Sequence, residues 1–408
     1  MKKDLPQPTA EEKLCQQANT VATAIQPNAP ALKKAVGVEG FVCLAVVLAV
    51  FIGLGIPMGL GNALNTMFNT AFHLLINTCF YLMAVAVVIG ALSEILTEFG
   101  VISLANKALS PLMKPLFGMP GATSMAIMAS FLSDNPAVLT LADNKGFRRY
   151  FKKYQLGALT NMGTTFGMGL IVIVTMMSLP SPDGTNFVLP TLLGVLAVIL
   201  TCILVTRLML LKTKKIYGKD MPALEDDDVS VVYDADKFRE VRAGSGFSRF
   251  FGAILDGGAR GVKIGLDIIP GVLIIATLVM MLTYGEPVGG YTGAYGEGVA
   301  IIPAIGEFCA PVFKFLFGFT SPDSISVPLT ALGSAGAALG LIKNMVLTPS
   351  NVAVFTAMCM FWSGYLSTHV SMLDSLKMRE LTVWALLFHT IGGIIAGIVA
   401  NLLVILLL

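Results

Sequence analysis

The chain has 408 residues, of which 55% are hydrophobic and only 13% are charged, and its formal net charge is +2. This apolar content exceeds what a soluble fold of the same length buries, and so small a charge excludes a nucleic-acid-binding surface. The composition therefore predicts an all-α polytopic membrane protein, surrounded by the lipid bilayer and without a nucleic-acid partner.

Seven apolar runs approach or reach the roughly 20 residues that an α-helix needs to cross a bilayer. They cover residues 41–60, 80–95, 166–179, 189–211, 264–282, 352–365 and 381–408. The first run begins too late, after the polar segment 1–34, for a cleaved signal peptide. We therefore predict about seven transmembrane helices, with residues 35–60 as an extra helix ahead of the rest.

Basic residues cluster in 1–34, 144–153, 207–263 and 377–379. Cytoplasmic loops carry an excess of Lys and Arg, so these stretches are predicted to face the cytoplasm. The N-terminus is then cytoplasmic, and the protein is predicted to be a multi-pass component of a bacterial inner membrane. Residues 212–247 are interpreted as a cytoplasmic linker.

A nine-letter pattern occurs twice in the chain. SPLMKPLFG at 110–118 returns as APVFKFLFG at 310–318, each time ahead of a short apolar segment that polar and small residues interrupt. Paired repeats with interrupted helices are typical of membrane transporters. The chain is therefore divided into a first repeat, 61–211, and a second repeat, 248–408.

Counting the spans predicts two re-entrant segments. The second predicted span ends in the cytoplasm. If 144–153 is cytoplasmic as well, residues 121–143 enter the membrane from the cytoplasm and return, with a break at 133–136. The equivalent residues 324–343 enter from outside. The predicted fold class is thus about seven transmembrane helices plus two re-entrant hairpins in an inverted repeat. The alternative is that both segments are ordinary short spans, which makes the two copies parallel.

Polar residues at the first break are candidates for solute binding. Asp134 is the acid that the prediction places deepest in the membrane, where a carboxylate is costly unless it is paired, protonated or ion-bound. The alternative is that Asp134 caps a helix by accepting backbone amides. The next span opens with three glycines that weaken the helix and with several polar side chains. The alternative to a binding role is that these glycines pack closely against another helix.

The second repeat has matching polar positions in its hairpin and in the string 362–371, where serines four apart share one helix face. Hydroxyls in membrane helices also bond to backbone carbonyls, so that alternative stays open. The predicted substrate-binding residues of both repeats are Asp134, Asn135, Thr160, Asn161, Thr164, Thr165, Ser334, Ser363 and Ser367. His73 and His389 are interpreted as packing residues, and His369 as a partner of Asp374.

Several classes of site are not predicted. The six cysteines form no CxxC pair, and neither a nucleotide-binding loop nor an HExxH motif occurs. A single deep carboxylate without a His/Asp/Glu cluster does not indicate an intramembrane enzyme. We therefore predict no catalytic residue, no metal site and no cofactor. A proton or sodium ion coupled through Asp134, and association into a homo-oligomer, stay open.

The Pro-x-x-Lys-x-x-Phe-Gly arm, the short broken helix after it and the Gly/Thr/Asn-rich span resemble the nucleoside recognition (Gate) domain family over 68–211 and 248–408. This family includes spore maturation proteins and shares its Gate unit with concentrative nucleoside transporters. The glycine-rich final span, 391–397, is distantly similar to ethanolamine permeases. The resemblance implies that hairpin tips and broken helices form the binding site, which carries over onto Asp134, Asn135, Asn161, Thr164 and Ser334.

These observations predict a secondary transporter that moves a small polar solute, nucleoside-like, amine or amino-acid-like, by alternating access. The alternative is a channel, or a non-transporting assembly or sporulation-type subunit that acts with a partner protein.

Overall fold

The computed structural model describes residues 35–133, 137–138, 145–148, 150–180, 184, 186–223, 241–342 and 345–408. Within these ranges the regular structure is helical, and β pairing is limited to an isolated bridge between Lys152 and Pro222. The predicted all-α fold class is confirmed. The chain divides into two compact units, 1–61 and 62–408.

The first unit contributes α1, Val38–Met58, an apolar helix that ends before Gly59. The helices of the first repeat are α2 (Leu60–Glu98), α3 (Val101–Leu112), α4 (Thr123–Leu132), α5 (Lys153–Thr164), α6 (Gly169–Met177) and α7 (Val188–Tyr217). The helices of the second repeat are α8 (Gly246–Thr283), α9 (Ile301–Phe317), α10 (Ser326–Ala331), α11 (Ala335–Ile342), α12 (Pro349–Trp362), α13 (Tyr365–Ser375) and α14 (Thr382–Leu407).

Among the described residues, six helical segments are long and apolar enough to cross a bilayer. They are α1, α2, Lys153–Met177, α7, α8 and Arg379–Leu407. A seventh is obtained only if α9 and Pro322–Ala331, which are bent by 71°, count as one span. Six of the seven predicted runs lie in these segments. The remaining run, 352–365, falls in α12 and α13, where the helix is interrupted instead of continuous.

The two repeats show the same order of elements. Each begins with a long helix that contains one π-helical segment, Leu75–Cys79 in α2 and Val272–Ala276 in α8. Each continues with an arm, α3 with the π-helical segment Met113–Phe117 or α9, that ends at a glycine with positive φ, 71° at Gly118 and 68° at Gly318. Because glycine adopts this conformation without a Cβ penalty, the repeated Phe-Gly pair acts as a helix C-cap.

Helices α2 and α8 pack extensively on each other through a seam of small residues. Gly257, Gly261 and Gly265 are four residues apart and therefore share one face of α8. A Cβ at Gly257 would overlap the carbonyl oxygen of Gly90, and one at Gly261 would overlap that of Ala86. The backbones thus approach as closely as in other small-xxx-small interfaces of membrane helices.

The buried core lies among α5, α7, α12 and α14, which pack on one another. Every residue of α12 from Asn351 to Trp362 is buried, so this part of the helix exposes no face to water or lipid. Its start is fixed by a capping box, in which the Thr348 hydroxyl accepts from the Asn351 amide and the Asn351 side chain accepts from the Thr348 amide. The core thereby holds the interrupted helices in place.

Candidate functional site

Two helices are interrupted at equivalent places in the two repeats. Helices α5 and α6 are separated by a turn in which Met168 has a φ of 54°, and α12 and α13 are separated at Gly364, whose φ is 67°. A non-glycine residue in the left-handed region costs of order 1–3 kcal/mol and persists where the surroundings hold it. The predicted discontinuous helices are therefore present.

The halves of the two interrupted helices pack on each other. The half α5 packs on α13, and the half α6 packs on α12. Gly169, at the start of α6, allows this approach, because a Cβ there would lie 3.2 Å from Cε of Met360 near the end of α12. The half-helix ends of both repeats consequently meet in one place.

The first hairpin, defined here as α4 with Ala137–Val138, packs on the break of α5 and α6. A Cβ at Gly163 would lie 2.7 Å from both methyl carbons of Val138, and one at Gly169 would lie 2.5 Å from the ring of Phe131. Glycine at these two positions lets the hairpin reach the interrupted helix. Close packing was the alternative considered for Gly163 and Gly167, and Gly163 packs closely on Val138.

The second hairpin, α10 and α11, contacts the other break. The amide of Gly364 donates to the carbonyl of Ala331 at 3.1 Å. Ser334 lies between the two limbs, where its hydroxyl accepts from the Ala337 amide at 3.2 Å and so begins α11. Each hairpin therefore contacts the interrupted helix of its own repeat.

The hairpins lie beside different parts of the α2–α8 pair. These helices are antiparallel, since Gly257 faces Gly90 and Gly265 faces Met83. The first hairpin borders the end that contains Gly90 and Arg260. The second lies beside the π-helical segments, where a Cβ at Gly340 would be 2.7 Å from Thr78. This arrangement is what an inverted pair of re-entrant hairpins requires.

The predicted residues of α5 are all wholly buried, and most bond within the protein. The Thr164 hydroxyl donates to the Thr160 carbonyl and the Thr165 hydroxyl to the Asn161 carbonyl, at 2.9 and 2.8 Å. The Asn161 side chain donates to the carbonyl of Ala385 at 2.8 Å. Thr160 Oγ1 and Asn161 Oδ1 have no hydrogen-bond partner in the described part of the chain. These two oxygens can still accept from a ligand.

The other predicted positions divide into three groups. Ser334 is half-buried at the tip of the second hairpin, and Ser363 is buried at the break between α12 and α13. Ser367 belongs to α13, but its side chain lies outside what the structure describes. Asp134 and Asn135 lie outside the described residues. The structure thus places the α5 positions and Ser363 at the breaks of the two interrupted helices, and Ser334 in the hairpin that contacts the break at Gly364.

A cavity of about 340 Å³ lies between the first hairpin, α2, α3 and α8, and we call it the inner cavity. Its polar lining consists of Ser93, Glu94, Thr97, Asn106, Ser133 and Arg260. The hydroxyl of Ser93 and Oδ1 of Asn106 are buried without a hydrogen-bond partner among the described residues. Buried polar atoms are normally satisfied, so these two oxygens indicate where a water or a polar ligand binds.

A cluster of carboxylates and arginines closes one end of the inner cavity. Arg260 donates to both oxygens of Glu94, at 2.5 and 3.1 Å, and Arg242 donates to Glu94 and Glu98, at 2.7 Å each. Arg249 also donates to Glu98 at 2.7 Å. The hydrogen bond that Arg242 donates to Glu94 is the main cause that holds the pKa of Arg242 above its ordinary value. The end of the linker is therefore bound to α2.

Loop 284–300 packs on one face of the N-terminal part of α2. Asn62 and Asn69 donate to the carbonyls of Tyr291 and Gly293, at 3.1 and 2.8 Å. The ring of His73 stacks on Tyr295 with centroids 3.8 Å apart, so His73 has the packing role that was predicted for it. The loop and α2 form a polar contact network that the sequence did not reveal.

Glu297 is the buried acid of this loop. Its carboxylate accepts from the Thr292 hydroxyl and amide, from the Gly293 amide and from Thr66 of α2. Burial by itself would raise the pKa of Glu297, but the hydrogen bonds, first of all from Thr292, lower it to about 2. Glu297 is thus an ionised anchor of the loop.

Sequence reasoning missed the residues of the inner cavity. Glu94 and Glu98 are four residues apart at the end of an apolar run, and Gly257, Gly261 and Gly265 follow a matching spacing. These two patterns together could have indicated that α2 and α8 pair, but neither gives the register that brings Arg260 to Glu94. The predicted pairing of His369 with Asp374 is wrong, because Arg379 binds Asp374 and His369 contacts the Tyr365 carbonyl.

Comparison with known proteins agrees with this fold. Residues 79–180 match the family model of Gate, described as nucleoside recognition. None of the curated proteins matches the sequence. The concentrative nucleoside transporter CNTnw in an inward-facing, substrate-bound state is similar at 17% identity, with 96% of this chain and 97% of that chain covered and a TM-score of 0.51. A CNTnw variant in an outward-facing state is similar at 15% identity, over 96% and 91% of the two chains, with a TM-score of 0.51.

These matches define the class of fold. The chain is a multi-pass membrane protein with the fold of concentrative nucleoside transporters, and its residues 79–180 carry the nucleoside recognition pattern. That range includes Ser93, Glu94, Thr97, Asn106 and Ser133, which line the inner cavity.

Proposed function

We propose that this protein is a secondary transporter that moves a small, neutral polar solute, first of all a nucleoside, across a bacterial inner membrane. The observation that carries the proposal is the inner cavity, which has two unpartnered buried oxygens and lies beside the first hairpin. A cavity with a mostly apolar wall and a few polar groups is the usual form of a small-molecule site.

The charges around the cavity support a neutral solute. Arg260 and Glu94 bind each other through two hydrogen bonds, so neither presents an uncompensated charge to a ligand. Ser93 Oγ and Asn106 Oδ1 are left to accept hydrogen bonds. A solute with several donors, such as the hydroxyl and amino groups of a nucleoside, fits them better than an anion.

The proposed mechanism uses the different surroundings of the two hairpins along the α2–α8 pair. The second hairpin is seated against α2, where Gly340 meets Thr78, while the first hairpin borders the open space of the inner cavity. In the proposed cycle, the solute passes between the inner cavity and the breaks of the interrupted helices, beside which Thr160 and Asn161 have accepting oxygens. Movement of the second hairpin off its seat would give access from the other side. Asp134 and Asn135 stay proposed ligand groups on sequence grounds.

The experiment is a thermal-shift screen of nucleosides, amines, amino acids and dipeptides on the purified protein, followed by calorimetry of the best ligand. The proposal expects a nucleoside to raise the melting temperature. It also expects Asn106→Leu, which removes a cavity oxygen and fills space, to lower affinity by at least about tenfold, or about 1.4 kcal/mol. If no member of these solute classes stabilises the protein, the proposed function is wrong.

A further inference from the structure

Two histidines form a buried pair next to the break between α12 and α13. His369 on α13 and His389 on α14 have no exposed surface, and their ring centroids are 4.5 Å apart. The Tyr365 ring contacts both, with centroids 5.3 Å from His369 and 4.8 Å from His389. The ring of Phe361 also lies 4.7 Å from that of His389, so His389, predicted to be an isolated packing residue, belongs to a cluster of four rings.

Each imidazole uses one nitrogen on a carbonyl beside the break. Nδ1 of His369 lies 3.0 Å from the carbonyl oxygen of Tyr365, and Nε2 of His389 lies 2.5 Å from that of Phe361. A carbonyl only accepts, so both of these nitrogens carry the hydrogen. Phe361 lies in the last turn of α12, where carbonyls lack amides from a following turn, and His389 supplies the missing donor.

The remaining ring nitrogens carry lone pairs. Nε2 of His369 and Nδ1 of His389 are buried and have no hydrogen-bond partner among the described residues. A neutral pair therefore leaves two buried acceptors without a donor, which is unfavourable. One added proton would turn either nitrogen into a donor, so this place is chemically a proton acceptor.

The surroundings provide no charge to balance that proton. Tyr365 is the titratable side chain in contact with both rings, and its hydroxyl pairs with the Thr390 hydroxyl at 2.5 Å. Helices α12 and α14 contain no charged residue. The charged or titratable side chains on the described helical segments packed against α12, α13 or α14 are Lys153, Tyr154, Cys202, Arg207, Lys212, Lys214, Lys215, Tyr217, Glu307, Cys309, Lys314, Arg379 and Glu380, and α12 and α13 themselves carry Cys359 and Asp374. Within the described chain, none of these forms an ion pair or hydrogen bond with either imidazole.

We propose that His369 and His389 are a proton-binding pair that is neutral while the break is packed and takes up protons when the break opens to water. Burying an uncompensated imidazolium is costly, so the packed state excludes the proton, whereas a hydrated imidazole titrates near its ordinary value of about 6.5. Acidification then favours the open break. Because the neutral His389 also caps the Phe361 carbonyl, proton uptake and the geometry of the interrupted helix are linked.

The size of the effect follows from linkage. An imidazole that binds a proton only in the open state raises the open population about tenfold between pH 7.5 and pH 5.5, if its open-state pKa is about 6.5. Two such imidazoles raise it further. A purely structural pair, neutral in both states, leaves the population independent of pH over this range.

The test is hydrogen–deuterium exchange of the purified full chain in detergent at these two pH values, corrected for intrinsic exchange and read on peptides covering 358–372. The wild-type protein is expected to lose about tenfold or more protection at the lower pH. His73→Gln is the matched control and should retain this loss, since His73 stacks on Tyr295 in loop 284–300. Each of His369→Gln and His389→Gln should reduce the ratio between the two pH values, and the double variant should abolish it.

The ratio of protection does not depend on the basal stability of a variant, so a weakened fold does not imitate the result. Protection in the wild type that is independent of pH would overturn the proposal. A double variant that keeps the wild-type ratio would do the same. The measurement uses no solute, so failure to bind nucleosides would remove the proposed function and leave this inference standing.

Discussion

The backbone amide of Gly364 donates a hydrogen bond to the carbonyl oxygen of Ala331, 3.1 Å away. The contact joins the break between α12 and α13 to the end of the first limb of the second hairpin. A residue with φ of 67° presents its amide away from the helix axis, which a regular helix could not do. Interrupted helix and hairpin are therefore one structural unit, and movement of the hairpin acts on the break.

The first prediction concerns the seam between α2 and α8. Gly257→Ala places a Cβ against the carbonyl of Gly90 and is expected to destabilise the protein by about 1–3 kcal/mol, the usual cost of overpacking. Gly258→Ala is the control, because its Cβ would lie 3.7 Å from Val87 in ordinary contact. Melting curves in detergent measure both. Equal melting temperatures for the two variants would mean that the seam is not closely packed.

The second prediction concerns the first hairpin. Gly163→Ala drives a methyl group into Val138 and should lower the melting temperature, whereas Gly163→Ala with Val138→Ala should recover most of the loss, because the second change removes the two clashing methyl groups. A double-mutant cycle measures the coupling, expected at about 0.5–3 kcal/mol. Additive effects of the two changes would place Val138 away from α5.

The third prediction compares two acids that bind the same arginine. Arg242 contacts Glu98, whose side chain is 4% exposed, and Asp256, whose side chain is 58% exposed. Asp256→Asn is expected to change stability by about 0–1 kcal/mol, since solvent screens exposed pairs. Glu98→Gln should lower the melting temperature clearly more, because two arginines lose a buried partner. The same drop for both variants, or a drop that high salt removes for Glu98, would contradict this account of the cluster.

The fourth prediction concerns the pH dependence of loop 284–300. Hydrogen bonds outweigh burial and lower the pKa of Glu297 from its ordinary 4.5 to about 2, so its contribution to stability is fully present above about pH 4.5 and declines as the pH falls toward 2. Glu297→Gln should therefore be less stable than wild type at neutral pH, and the difference should shrink in acid. Thermal melts of both proteins from neutral pH to pH 3 measure this, and a constant difference would contradict it.

The architecture followed from local patterns that the sequence displays. The paired Lys-x-x-Phe-Gly motif marks the arm caps at Gly118 and Gly318, and glycines next to Thr164 predicted the break that Met168 completes. The inner cavity could not be predicted in the same way. Glu94 and Arg260 are 166 residues apart and meet only because glycines on α8 let it approach α2 closely.

The histidine cluster shows the same limit. His369 and His389 lie on different helices, and nothing in the spacing of either helix indicates that their rings meet. Their contact depends on the break at Gly364, which redirects α13 relative to α12. Local signals thus predict helices, caps and breaks, while the groups that face one another at a site depend on how those breaks are packed.

The central claim is that the inner cavity admits a transported solute, and uptake by the purified chain in proteoliposomes tests it most directly. The account predicts saturable nucleoside uptake by the wild type. It also predicts at least about a tenfold loss in Ser93→Leu, which fills the cavity at an unpartnered hydroxyl, and nearly wild-type uptake in Ser103→Leu, whose side chain is exposed on α3. No saturable uptake by the wild type, or equal uptake by the two leucine variants, would contradict the claim.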